Sequence, residues 1–457
     1  MVHMRKVRST GRGSAQTKRP SRRVRQRQAA EASSGAPVEV EVTGLGSRGD
    51  GLAVGPDGEK LFIAKSLPGD RLRVRIGPSH GDGRMAEIVA ILRPGPGRTE
   101  APCPHFARCG GCALQHLGDD DYIAWKLGRL RLALDRAGLG DASVASPVRI
   151  PPGARRRATF TAVRAAAAGS RVCVGFAAAR SNDVIDLSAC PVLDPDIAAV
   201  VPMLRELLDG TLARGGKTRV AISRLNGGLD VVFDWSDPPS ASLRERWSCF
   251  ACEAGLARLS WRRKPAAPAE PVVQHRPVAV VHGGSAVAVP PDAFLQASGL
   301  GEAALTQAVL AAMAQANTAA DLFCGLGVFA LALAAAGKRI HAVDGDEAAV
   351  AALAAAVRGK TGLTTERRNL FARPLEPDEL RRFDAVAFDP PRAGARAQAM
   401  FLADSPVPVV VAISCNLATF IRDARLLAGG GFRLETVTPV DQFLWSPHLE
   451  LAATFRR

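Results

Sequence analysis

No apolar stretch in this chain approaches the length of a membrane span, because the Ala-rich runs are interrupted by Gly, Arg and Asp. A helical membrane protein is therefore not expected, and neither is a membrane partner. Acidic and aromatic residues are missing from positions 1–30, as is any apolar segment of the kind a secretory signal needs. With no such signal, an odd count of nine cysteines argues against a disulfide framework. Reduced thiols in a cytoplasmic compartment fit better, serving packing, metal binding or catalysis. The glycine-rich stretch Gly325-Leu326-Gly327 does not continue into G-x-G-x-x-G, which makes a compact nucleoside a better ligand there than a pyrophosphate dinucleotide.

What is present is 457 residues, 47% apolar, enough for two or three domains with their own cores. Charge is unevenly spread. Residues 1–30 hold ten Arg and Lys, so the rest of the chain carries only +5 of the net +15. A transit peptide or a solvated tail would share that composition. The reading adopted is a disordered basic tail over 1–36 that meets RNA phosphates electrostatically.

Val38, Val40 and Val42 then alternate with Glu39 and Glu41, a strand with one wet face. Further runs at 61–64, 72–76 and 86–92 are separated by Gly-Asp-Gly, Pro-Asp-Gly and Leu-Pro-Gly-Asp turns. Four or five short strands in about 60 residues predict an OB-like β-barrel over 37–97. A mixed α+β central domain is expected over 98–285. It includes helices at 122–137 and 196–208, strands at 159–163 and 172–176, a hairpin at Asn226-Gly227-Gly228 and a loop over 264–272. Arg155-Arg156-Arg157 either meets phosphates or forms a solvated edge. Cys249 and Cys252 read as core packing in a helix, and Cys173 as an ordinary strand residue.

Cys103, Cys109 and Cys112 stand at C-x5-C-x2-C spacing in a turn-rich segment, with Cys190 before a proline further on. Four such thiolates suit one zinc ion or one 4Fe-4S cluster. The C-x3-C-x2-C spacing of radical-type S-adenosylmethionine enzymes is absent.

From about 286 to 457, strands and helices alternate. Asp321-Leu322-Phe323-Cys324-Gly325-Leu326-Gly327 closes a strand and opens the helix 328–336, and the next strand, 339–343, ends at Asp344. Glycines there admit a ligand to the backbone, and Asp344 can accept ribose hydroxyls, as a nucleoside such as S-adenosylmethionine requires. The apolar run 407–413 predicts a buried parallel strand ending at Ser414-Cys415-Asn416. Asp389 ends the preceding strand, 385–388, and His448-Leu449-Glu450 lies in the final hairpin. A thiol and two carboxylates at one sheet edge form a candidate catalytic set.

Together these segments resemble the RNA (uracil-C5)-methyltransferase family, most closely its bacterial 23S ribosomal-RNA branch, over roughly 37–457. The resemblance implies that 37–97 is a TRAM RNA-binding domain, and that 286–457 is a Rossmann-like class I methyltransferase domain using S-adenosyl-L-methionine. It implies that Cys103, Cys109, Cys112 and Cys190 hold a 4Fe-4S cluster. Gln296, in Phe294-Leu295-Gln296, with Phe323, Gly325, Gly327, Asp344, Asn369 and Asp389, falls at cofactor or substrate positions. Cys415 matches the family's nucleophile and Glu450 its base. The chain departs from the family at Leu417, Val328 and Leu444-Trp445-Ser446-Pro447.

The implied chemistry is consistent with the residues. A thiolate adding to uracil C6 makes C5 nucleophilic toward a sulfonium methyl group. A carboxylate must then remove the C5 proton. Cys415 would need a lowered pKa, or activation on substrate binding. The target base must be unpaired or extruded. The expected protein is a monomeric cytoplasmic enzyme acting on 23S rRNA. The rival readings are a tRNA enzyme, a dual-site rRNA enzyme, and an RNA-binding or folding factor with an inactive methyltransferase domain.

Overall fold

The computed structural model describes residues 36–457 except 266, so nearly all of the expected basic tail lies outside the described residues. The chain forms two compact units. One holds the described residues up to Gly46 together with Asp50–Pro96, and the other holds Ser47–Gly49 and Gly97–Arg457.

The first unit is a six-stranded sheet. Its order is Val38–Glu41, Arg71–His80, Gly83–Arg93, Lys60–Ile63, Gly51–Val54, Gly44–Leu45. The two strands absent from the sequence reading are glycine-started and short. Gly51 is required where it stands, since a Cβ there would lie 2.0 Å from Ser66 Oγ. Alternation puts Val40, Leu61, Ile63, Leu72 and Val74 into one core. On the wet face Glu39 pairs with Arg71 and Arg73.

In the second unit, residues 157–274 build a seven-stranded sheet around Arg157–Arg164 and Lys217–Leu225. The hairpin forms as expected, with Leu225 opposite Gly228. Pro195–Asp209 packs on this sheet through Ile197, Val200, Val201, Leu204 and Leu208, spaced at helical intervals. Its start is set by Asp194, which accepts from the Asp196 N–H, and by Pro195. Two expectations need correction. Cys249 and Cys252 lie in the helix Ala241–Glu253, but both are exposed, because that helix buries Trp247, Phe250 and Ala251 instead. The loop expected over 264–272 ends early, since Glu270–Gln274 pairs with Arg258–Arg262.

A nine-stranded sheet dominates the C-terminal part. Its main order is Leu363–Arg367, Arg339–Asp344, Thr318–Leu322, Ala385–Phe388, Val409–Ser414, Glu450–Arg456, Arg433–Asp441. The first five run parallel, and Glu450–Arg456 is antiparallel to both of its neighbours. The strand Val409–Ser414 is thus buried as expected, with parallel pairing on one side only. Chain order reverses between Thr318–Leu322 and Ala385–Phe388, which opens a crevice at the strands' carboxyl ends. Because the last strand runs the other way, its first residue reaches that same edge. Register pairs Ser414 with Leu451, which places Glu450 beside Cys415. No helix among the described residues is long and apolar enough to cross a membrane.

Candidate active site

Cys415 follows the central strand and precedes the helix Leu417–Gly429, whose first turn Asn416 caps through the Ala418 N–H. Asn416 also donates to the Arg392 carbonyl at 2.9 Å, tying the thiol's turn to the loop after Asp389. Burial pushes the Cys415 thiol up to about 11. The negative charges of Glu450 and Asp389 add to that rise, and Arg392 opposes it. The thiol is therefore not preactivated, and of the two routes considered from sequence only activation on substrate binding remains. Beside it Arg392 lies 3.2 Å from His448 Nε2. Burial and that guanidinium, with Lys126 and Arg129, push His448 down to about 4, so its imidazole is neutral at pH 7.

Glu450 is 3% exposed and Asp389 is half-buried. Burial raises both carboxyl groups above the usual range, and the Asp389 charge raises Glu450 further. Two glutamines join them. Gln442 Nε2 donates to Glu450 Oε2 and to Gln296 Oε1, each at 2.9 Å, and Gln296 Nε2 donates to Asp389 Oδ2 at 2.8 Å. Gln296 is held from behind by Arg156, whose Nε donates to its carbonyl and whose guanidinium pairs with Glu302. The arginine triplet is therefore not simply a solvated edge. Arg156 is inward and paired, and Arg157 covers the Phe294 ring at 4.4 Å.

The glycine-rich turn lies across the crevice. Phe323, Gly325 and Gly327 all take positive φ, and a Cβ on Gly327 would strike Leu353 at 2.6 Å. At Gly325 a Cβ would meet nothing within 4 Å, so this stretch of backbone faces open space. Asp344 accepts from the Gly325 and Asp346 N–H groups, both at 2.8 Å. Asp321 is fully buried, takes the Ala330 N–H on Oδ2 and has an unpartnered Oδ1. Asn369 is exposed at the end of the next strand and caps a turn through the Phe371 and Ala372 N–H groups. Phe371 lies against the Phe323 ring.

Cys103, Cys109, Cys112 and Cys190 come together away from this crevice. All are free thiols. Burial pushes Cys112 up to about 12, and Cys190, Cys109 and Cys103 each add to the rise against a hydrogen bond with Gln115. Among the described residues, no group of three or more His, Cys, Asp or Glu side chains is set to hold a metal ion. The loop is nonetheless tied to the active-site turn. The Ala113 and Leu114 N–H groups donate to the Trp445 carbonyl, and Tyr122, the chain's only tyrosine, accepts the Trp445 N–H.

Residues 288–457 match the family model for tRNA (uracil-5-)-methyltransferases. An uncharacterized RNA methyltransferase of Brucella suis is 40% identical over 92% of this chain and 98% of its own length. The 23S rRNA (uracil(1939)-C(5))-methyltransferase RlmD of Pectobacterium atrosepticum is 31% identical over 96% and 98%. This chain belongs to the RNA (uracil-C5)-methyltransferase family. It shares its fold with the Pyrococcus abyssi tRNA (uracil-54, C5)-methyltransferase, solved with S-adenosyl-L-homocysteine, at TM-score 0.70 and 20% identity over 92% of this chain and 100% of that one.

The structure brings Cys415, Asp389 and Glu450 to one edge, the set the sequence pointed to, and joins Gln296 to them through Asp389 and Gln442. Sequence reasoning missed Gln442, Arg392 and the buried Lys126–Asp441 pair, whose side chains are 0% and 1% exposed. Gln442 sits eight residues before Glu450, just past the strand Arg433–Asp441, whose mix of Arg, Glu and Thr with apolar residues gives it no distinguishing pattern. Nothing in the sequence marks Lys126 as the partner of Asp441.

Proposed function

We propose that this enzyme methylates C5 of uracil in 23S rRNA with S-adenosyl-L-methionine, through a Cys415 adduct at C6. One observation carries the reading. A thiol, the buried Glu450 and the half-buried Asp389 share the end of the central strands, where antiparallel pairing delivers Glu450 to Cys415. The ribosomal target rests on the full-length similarity to the 23S rRNA enzyme. In functional terms the chain divides into a basic tail (1–36), a TRAM-type RNA-binding domain (37–97), a central domain bearing the cysteine loop (98–285) and a methyltransferase domain (286–457).

The crevice suits a nucleoside methyl donor. The open backbone at Gly325, the Asp344 carboxylate and the exposed Asn369 surround it, with Phe323 and Phe371 as an apolar wall. S-adenosylmethionine, when bound, supplies an electrophilic methyl group. Cys415 gives its proton to solvent and adds as the thiolate to C6, which leaves electron density at C5 for attack on that methyl carbon. Asp389 and Gln296 hydrogen-bond the reacting base or the donor. Glu450 then takes the C5 proton, the C6–S bond breaks, and the electron pair returns to sulfur. Cys103, Cys109, Cys112 and Cys190, near enough that Cys112 senses the other three and Arg155 senses Cys112 and Cys190, would hold a 4Fe-4S cluster. That cluster would supply a covalent tie across the loop.

The test uses purified enzyme, ribosomal and transfer RNA transcripts, and mass spectrometry for 5-methyluridine. Methylation of the 23S transcript and not of tRNA is expected, whereas the reverse would move the substrate to tRNA. On 5-fluorouracil RNA the wild type should be trapped covalently, because fluorine cannot leave as a proton does, and Cys415→Ala should form no adduct. Trapping by Cys415→Ala would defeat the nucleophile assignment.

A further inference from the structure

We infer that Gln442 is a positioning residue for proton removal, holding Glu450 as the acceptor and locking the Gln296 amide in one orientation. The inference rests on the reading of Glu450 as the base. Three observations carry it. Only one orientation of the Gln442 amide turns nitrogen toward both Glu450 Oε2 and Gln296 Oε1, and with it Gln296 must turn its own nitrogen to Asp389. The bond engages one oxygen of Glu450 and leaves Oε1 to receive the proton.

That orientation has a structural cost. Gln442 is 4% exposed, and its Oε1 has no partner. A buried acceptor without a donor destabilises the fold, and an apolar side chain of the same length would avoid the loss. What the amide offers in return is its donor. The surroundings are shaped to admit it. Gly301, in the Ser298-capped helix Gly299–Ala312, lies so close that a Cβ there would fall 2.7 Å from Gln442 Oε1. Behind Gln442, the buried ion pair of Asp441 with Lys126 anchors the end of its strand.

Donation from Gln442 favours the ionised form of Glu450 against the groups that face it. Those are Asp389 and Cys415, with Arg392 beyond the thiol. Without the donor, Glu450 holds its own proton to higher pH and accepts the C5 proton less readily. The structure thus assigns Gln442 to the step after methyl transfer.

The test compares wild type, Gln442→Met, Gly301→Ala and Glu450→Gln on the same RNA. Gln442→Met should lower kcat about 10- to 100-fold, the range for losing a hydrogen bond to a charged group. The acid limb of its pH–rate profile should move up by about one unit. A methylated covalent protein–RNA species should accumulate, and the melting temperature should hold or rise. Gly301→Ala, which displaces the amide without removing it, should move the acid limb the same way, and it decides the matter if Gln442→Met does not fold. An acid limb that coincides with wild type in the folded variant, with no adduct, overturns the inference while leaving the base assignment intact if Glu450→Gln is inactive. Turnover by Glu450→Gln overturns both.

Discussion

The Leu114 N–H donates to the Trp445 carbonyl at 3.0 Å, joining the cysteine-bearing loop to the turn that leads into His448 and Glu450. The Ala113 N–H takes the same carbonyl at 2.8 Å, and Trp445 itself sits at φ +56°. A tryptophan in the left-handed region persists only where its surroundings fix it. Tyr122 completes the hold by accepting the Trp445 N–H at 2.9 Å.

Tyr122→Phe removes that acceptor and leaves the Trp445 N–H without its partner. A stability loss of about 1–3 kcal/mol is expected, read as a lower denaturant midpoint. A fall in kcat should accompany it, with an unchanged KM for S-adenosylmethionine, since the glycine-rich turn belongs to other strands. An unchanged kcat would separate the Trp445 turn from catalysis.

Alkylation reports the state of the Cys415 thiol. Its proton is held up to about 11, so the thiolate fraction in the free enzyme rises about tenfold per pH unit from 7 toward that value. Iodoacetamide labelling of the Cys415 peptide, quantified by mass spectrometry, should rise steeply over the same range. Arg392→Met removes the cation that opposes the shift and should slow labelling at every pH below it. A plateau below pH 9 would mean a preformed thiolate.

Lys126 and Asp441 form a buried pair, with Lys126 also over the Tyr122 ring and donating to the Phe443 carbonyl. Lys126→Met strands the Asp441 charge and should cost about 3–5 kcal/mol. Combining it with Asp441→Leu should restore most of that stability without restoring activity, because Gln442 is the next residue. Additive losses in the double-mutant cycle would deny the coupling.

Deleting residues 1–30 removes ten basic residues and no acidic one. Binding to 23S transcripts should weaken, and its dependence on salt should flatten as fewer counterions are released. Turnover at saturating RNA should change little. Equal affinity of the two forms at low salt would make the segment dispensable for RNA.

Local pattern alone determined much of this protein. The glycine-rich turn after Asp321, the apolar run ending at Cys415 and the hairpin at Gly227 are short-range signals, because strand burial, positive φ and tight turns are properties of a few adjacent residues. The sequence therefore marked Cys415, Glu450 and Asp389 and the ends of their strands. Tertiary structure decided how those residues act on one another. Gln442 faces Glu450 and Gln296 only because the last two strands pair antiparallel in one register. Arg156 turns inward only because Glu302 and the Gln296 carbonyl, both far along the chain, await it there. The proton held on Cys415 follows from burial and from two carboxylates brought in by separate strands. Exposure of Cys249 and Cys252 was likewise decided by which helix face met the sheet. Each depends on contacts between distant segments, and such contacts have no signature within any one of them.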